Sequence, residues 1–143
     1  MPSGRTHDII TAVTTPILGF VFNVISGDIK MTAIFIVAFL FSSLMFNGDL
    51  DINSRPYRRW WILRIIWKPY QKIFEHRSYW THGLIVGTVV RLVYISPLII
   101  GLGMLLNLTY PQHLNWSLII IILVGLECGN SVHTISDRIG SAL

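Results

Sequence analysis

Four long apolar runs, almost free of charge, limit what this chain can fold into. A helix needs about 20 apolar residues to cross the hydrocarbon core of a bilayer. Runs near that length occupy residues 9–25, 31–46, 83–108 and 116–132. In lipid, the backbone must satisfy its own hydrogen bonds, which a helix does within one segment. Only 13% of the 143 residues are charged, against roughly 25% in soluble domains, and mean hydropathy is +0.60. The expected fold class is therefore all-α: a polytopic membrane protein with four transmembrane helices in one integral domain over 1–143. The first run is the weakest, broken by threonines, Pro16 and Asn23. It lacks a clean small-residue cleavage site, so it reads as a retained helix and not a signal peptide. Arg91 and Pro97 lie inside the third run and Glu127 near the end of the fourth.

The connection from Asn47 to His82 carries Arg55, Arg58, Arg59, Arg64, Lys68, Lys72 and Arg77. The positive-inside rule sets that link in the cytoplasm, and four crossings then bring both termini to the same side. A bacterial inner membrane or a thylakoid membrane is the expected location. Within the link, residues 57–75 read as an amphipathic interfacial helix. Trp60, Leu63, Trp67, Tyr70 and Phe74 share one helical face, and Arg64, Lys68 and Lys72 share another. Such a helix lies flat, aromatic side toward lipid and basic side toward phosphates, with Pro69 kinking or splitting it. A net charge of +4 and a pI near 9.6 could point to nucleic acid. The basic residues are interleaved with tryptophan and isoleucine, however, so anionic lipid headgroups are the expected partner and nucleic acid is not. The single Cys128 excludes an intrachain disulfide and a cysteine-based zinc cluster.

The same four crossings gather the residues that carry chemistry. His7 and Asp8, Asp49 and Asp51, His76 and His82, and His133 and Asp137 all fall on one side. Each pair has an ordinary explanation alone. Asp8 could cap the first helix, and Asp51 could pair with Arg55 in a polar turn. His76 and His82 could be interfacial polar groups, and His133 with Asp137 could be a helix-end hydrogen bond. His113, in the Pro111 turn, falls on the far side. Four such pairs on one side argue for a shared site. Neutral imidazole and carboxylate together suit divalent metals, zinc first and manganese as the alternative. His76, His82, His133 and Asp51 are the leading ligands, followed by Asp137 and His7. Asp49 is either a ligand or a general base and is the candidate catalytic residue. Arg55 and Arg77 are the candidates for holding a substrate phosphate.

This order of residues resembles a known family. It runs from an N-terminal His, through Asp49-Leu50-Asp51 and His76-Arg77 with Thr81-His82, to His133 and Asp137. The pattern is similar to the LexA-regulated membrane-bound metal-dependent hydrolases. It is closer to a branch of metal-binding integral membrane proteins frequent in cyanobacteria, on the stretches Met1-Pro2-Ser3-Gly4-Arg5-Thr6-His7-Asp8, Gly48-Asp49-Leu50-Asp51 and His76-Arg77-Ser78. The resemblance implies a metal site built from His7, Asp49, Asp51, His76, His82, His133 and Asp137. It also implies a hydrolase acting on a phosphoester or ester at the cytoplasmic membrane surface. The chain departs from the broader pattern at Ile52, Ser78 and Gly83, where His, Gly and Ser are frequent. Those departures favour a second reading, a non-catalytic membrane subunit or assembly factor with a structural metal. A third reading is transport, which would require an oligomer. Arg91 and Glu127 are expected to form an ion pair between the third and fourth helices.

Overall fold

A computed structural model describes residues 4–108 and 115–142. Seven helices follow in order: α1 (Gly4–Ser26), α2 (Ile29–Met45), α3 (Arg55–Arg59), α4 (Lys68–Ile73), α5 (Tyr79–His82), α6 (Val86–Leu105) and α7 (Trp116–Ala142). Short 3-10 segments cover Gly48–Asp51 and Trp61–Trp67, and the described residues contain no strand. Four helices, α1, α2, α6 and α7, are long and apolar enough to cross a membrane. The Pro111 turn with His113 lies outside the described residues.

The α1–α2 hairpin closes on Gly27, whose φ of +63° suits a residue without a side chain. Asp28 then caps α2, its Oδ1 accepting from the backbone N–H groups of Lys30 at 2.7 Å and Met31 at 3.3 Å. Across the hairpin, Phe22 stacks on Phe35 with ring centroids 4.3 Å apart.

The contact between α2 and α7 is backbone-close. A Cβ added at Gly125 would lie 2.8 Å from Ala38 Cβ and from the Phe35 carbonyl oxygen. One at Gly129 would lie 2.7 Å from the Phe39 carbonyl oxygen and from Ser42 Cβ. Glycines four apart on one helix face permit this approach, as small residues do between membrane helices. The Ser42 hydroxyl fastens the crossing by donating to the Leu126 carbonyl at 2.6 Å. Beyond the crossing, α7 continues unbroken to Ala142, past the expected end at Val132.

The connecting segment is divided further than the amphipathic helix, kinked or split at Pro69, expected over 57–75. Pro56 and Pro69 each sit in the first turn of a short helix, and the stretch divides into α3, the 3-10 segment and α4. The aromatic face turns inward instead of toward lipid. Trp67 and Tyr70 are fully buried with Phe46, Leu50 and Tyr57, while Trp60 and Phe74 pack at the edge of this cluster. Leu63 alone of that set is exposed, beside exposed Trp61, Ile62 and Ile65. The reason is a better apolar partner than solvent or lipid. Trp67 meets Phe46 edge-on at 5.7 Å and stacks on Tyr94 of α6 at 5.6 Å. Burial pushes the Tyr70 hydroxyl up to about 12.

The outer faces are apolar. Ile9, Val13, Ile17, Phe20 and Val24 line the exposed side of α1, and Val89, Val93 and Leu105 are exposed on α6. Apolar surface of this extent requires lipid or another protein against it.

Candidate metal centre

The site begins where α2 ends. Asn47 turns the chain, its amide donating to the Ser43 carbonyl at 2.7 Å while its Oδ1 accepts from the Asp49 N–H at 3.1 Å. The following 3-10 turn has three residues per turn, so Asp49 and Asp51 project in different directions. The Ser54 hydroxyl secures the turn by donating to the Asp49 carbonyl at 2.6 Å. Gln71 Nε2 reaches the Leu50 and Ile52 carbonyls, each at 3.0 Å.

His82 arrives from α5 and lies over Gly48, where a Cβ would fall 2.9 Å from its ring. Glycine is therefore required by space at position 48. α5 is fixed in turn by Arg91, which is fully buried. Arg91 Nη1 donates to the Thr81 carbonyl at 2.9 Å and Nη2 to Asn130 Oδ1 at 2.7 Å. The expected Arg91–Glu127 ion pair is not formed. Glu127 Oε1 instead accepts from the Ile85 N–H at 2.9 Å and the Ser131 hydroxyl at 3.0 Å. The buried guanidinium is served by carbonyl and amide oxygens, so its charge faces dipoles instead of a carboxylate.

α7 supplies His133 and Asp137, one turn apart on the face that the Gly125–Gly129 crossing presses toward α2. Asp49, His82, His133 and Asp137 each offer one ligand atom, and the four atoms lie within 4.8 Å of one another. Asp49 Oδ1 stands 3.5 Å from His82 Nε2 and 3.4 Å from His133 Nε2, and His133 Nε2 stands 3.3 Å from Asp137 Oδ2. His82 Nε2, His133 Nε2 and Asp137 Oδ2 are buried and have no hydrogen-bond partner. Buried polar atoms without partners are costly unless something satisfies them. A tetrahedron with bonds of about 2.0–2.1 Å has edges of about 3.3–3.4 Å. Three of the six separations among these atoms, 3.3–3.5 Å, match such edges, the others lie within 4.8 Å, and the donor set suits a divalent ion.

The remaining predicted residues surround this group. His7 Nε2 meets Asp137 Oδ1 at 3.1 Å, and its ring lies 4.3 Å from that of His133. His7 thus steadies Asp137 through the oxygen turned away from His133. Asp51 lies on the other side of His82. Its Oδ1 meets His76 Nδ1 at 2.8 Å, its Oδ2 accepts from the Arg77 N–H at 3.3 Å, and His82 Nδ1 is 3.6 Å from Oδ2. The Thr81 hydroxyl is 2.9 Å from the same Nδ1. Asp51, His76 and His82 form a second group of potential ligands. Both Asp51 oxygens are taken by His76 and the Arg77 N–H, so Asp51 stands behind His82 as an outer carboxylate, and the hydrogen bond at His82 Nδ1 is made by Thr81. All seven residues therefore gather at one end of the bundle, with Asp49 in the central four and Asp51 behind His82.

Two expectations fail. Arg55 is not free to hold a phosphate: its Nη1 pairs with Asp8 Oδ2 at 2.9 Å, and Arg59 pairs with the same oxygen at 2.8 Å. Asp8 is no helix cap either, because α1 begins at Gly4 and Asp8 sits in its second turn. Arg77, by contrast, lines a cavity of about 200 Å³ that reaches His82 and Asp137. Thr134 and Arg138 line it too, and neither was singled out as a site residue from sequence. Their signal was present, since Arg138 follows Asp137 directly and Thr134 follows His133.

A protein-family model described as "Uncharacterized metal-binding protein (DUF2227)" matches residues 2–143. The chain belongs to that family. Its similarity extends to an uncharacterized protein of Aquifex aeolicus (strain VF5), 34% identical over 60 residues, covering 41% of this chain and 42% of the relative. The chain thus aligns with about two fifths of that relative's length. No solved structure matches it. The family description and the two groups of potential ligands agree in pointing to a metal.

Proposed function

We propose that the chain is an integral membrane protein that holds a divalent ion, zinc in preference to manganese, through Asp49, His82, His133 and Asp137. We propose further that this centre hydrolyses a phosphoester or acyl ester at the cytoplasmic surface. The observation that carries the reading is that His82 Nε2 and His133 Nε2 both meet Asp49 Oδ1 while Asp137 Oδ2 meets His133 Nε2, with those two nitrogens and Asp137 Oδ2 buried and without hydrogen-bond partners. Three donor–donor separations of 3.3–3.5 Å and a mixed nitrogen–oxygen donor set favour a compact four-coordinate ion such as zinc. When bound, such an ion supplies Lewis acidity toward a carbonyl or phosphoryl oxygen and makes water a usable nucleophile near neutral pH.

The chain's own residues would do the rest. Thr81 holds the His82 ring by its far nitrogen, with the Asp51 carboxylate 3.6 Å behind it, and His7 holds Asp137. The cavity along His82 and Asp137 gives a substrate a path to the donors. Four apolar helices, with the basic link and both ends of the described chain meeting at the site, support a cytoplasmic membrane-surface location. Arg64 and Lys68, beside exposed Trp61, Ile62 and Ile65, would rest against anionic headgroups. The resemblance to the LexA-regulated hydrolases points the same way.

A second reading rests on the donor count. Four ligands already complete a tetrahedron, as in structural zinc sites, and would leave a non-catalytic subunit with its helix ends tied together. Elemental analysis of protein in lipid nanodiscs, beside hydrolysis of generic phosphoester and acyl-ester substrates, separates the two. The catalytic reading expects about one ion per chain, with ion and turnover lost together in His133→Ala. A retained ion without turnover on either ester class assigns the structural role. Wild-type protein without stoichiometric metal refutes both.

A further inference from the structure

The cavity beside the donor cluster carries more than access. Its lining includes Arg77, Thr134, Arg138 and Ser141, and it shares His82 and Asp137 with the cluster. Arg55 and Arg59 share the single carboxylate of Asp8, and Arg91 is buried against oxygen dipoles. Arg77 and Arg138 have no carboxylate partner among the described residues. Thr134 is only 2% exposed, yet its hydroxyl has no hydrogen-bond partner. Arg77 also adopts a φ of +62°, a left-handed conformation that a non-glycine residue seldom takes. Its N–H bond to Asp51 and the adjacent His76–Asp51 contact hold it there. Strain retained beside a functional cluster is consistent with a task for the side chain so positioned.

We infer that this cavity is a phosphate-recognition pocket and that the substrate of the site is a phosphoester, not a carboxylic ester. The inference rests on the hydrolytic reading above and narrows it. Two planar guanidinium forks match the oxygens of a phosphate, and the Thr134 and Ser141 hydroxyls offer further donors. A neutral acyl ester would leave both arginines without a partner. The cavity volume, about 200 Å³, is below the roughly 300–1,000 Å³ of pockets that enclose drug-sized ligands, which suits a headgroup-sized anion. Sharing a wall with His82 and Asp137, the pocket sets a bound phosphoryl group against the donor atoms.

The probe is inorganic phosphate, titrated by calorimetry into zinc-loaded protein in phosphatidylcholine nanodiscs. Arg77→Gln and Arg138→Gln are each expected to weaken phosphate by about ten-fold or more, with metal content unchanged. Arg77→Lys, which keeps charge but loses the fork, should fall between. Both arginines are exposed, so neither change threatens the fold. Equal phosphate affinity in wild type and in the double variant overturns the pocket, as does absence of phosphate binding to wild type. The two readings fail separately. Retained metal with phosphate indifferent to the arginines sinks only the pocket, whereas arginine-dependent phosphate binding to protein that holds no ion sinks only the metal centre. Displacement of bound phosphate by glycerol 3-phosphate in solution assigns a soluble ester. Displacement only when phosphatidic acid is added to the nanodisc assigns a lipid headgroup.

Discussion

Substituting alanine for Gly129 tests whether the α2–α7 crossing sets the metal centre. The new Cβ would lie 2.7 Å from the Phe39 carbonyl oxygen and Ser42 Cβ and 2.9 Å from the Ser43 backbone nitrogen. Two of these three atoms are backbone and cannot rotate away. Ordinary contact begins at 3.4 Å, so α2 and α7 must part by about 0.7 Å. Alanine gains about 1 kcal/mol of helix propensity over glycine, but overpacking costs about 1–3 kcal/mol, so the net effect is neutral to destabilising. The effect on the ion is larger. His133 and Asp137 ride on α7 while Asp49 follows α2. Carried to the donors, the shift stretches the 3.4 Å edge between His133 and Asp49 toward 4.1 Å. That lengthens the bonds by about 0.4 Å, twice the tolerance of about 0.2 Å for a well-formed metal site. Zinc affinity, measured by competition with a chelating dye, should fall at least about ten-fold, a loss of about 1.4 kcal/mol. Gly101→Ala is the control, since no atom lies within 4 Å of its added Cβ, and it should bind metal as wild type does. Undiminished zinc affinity in Gly129→Ala would refute the claim that this crossing sets the donor spacing.

Three further outcomes are expected. Asp49→Ala should abolish metal binding, while Asp51→Asn should weaken it by about 10–100-fold, as removal of a bracing carboxylate does; a dye competition giving the reverse order would exchange their roles. Combining Arg91→Glu with Glu127→Arg should fail to restore the thermal stability lost by Arg91→Glu alone, because Arg91 serves Thr81 and Asn130, not Glu127. Rescue in a melting experiment would restore the ion pair. Tyr70, raised to about 12 by burial, keeps its proton in the fold while an unfolded tyrosine releases it near 10. Its contribution therefore falls as pH rises through about 10 to 12, and Tyr70→Phe should lessen alkaline unfolding in that window.

The parts of this fold that sequence discloses are those carried by one-dimensional pattern. Four apolar runs become four long helices because run length and lack of charge suffice to name them. Alternation of those runs also predicts that His7, Asp49, His82 and Asp137 share an end, since an even number of crossings fixes sides without any knowledge of packing. What stayed hidden depends on partners across space. The face of Trp60, Trp67 and Tyr70 was visible, yet periodicity cannot say whether an apolar face meets lipid or Phe46 and Tyr94. Arg91 and Glu127 were placed at similar depths, but depth does not fix the direction in which each side chain points. The different roles of Asp49 and Asp51 depend on a 3-10 turn that the alternation Asp49-Leu50-Asp51 does not announce. Gly125 and Gly129 offered a packing signal that went unread, and it is the contact that brings α7 to α2.

The four candidate donors are drawn from positions 49 to 137, so the group is complete only once α7 has been made. While the ribosome is still threading α7, Asp49 and His82 are present without His133 and Asp137. On the proposed reading, an ion would be held by all four donors only after α7 had packed against α2. Metal retention would then report a finished fold, and a molecule lacking α7 would be told apart by its failure to keep the ion.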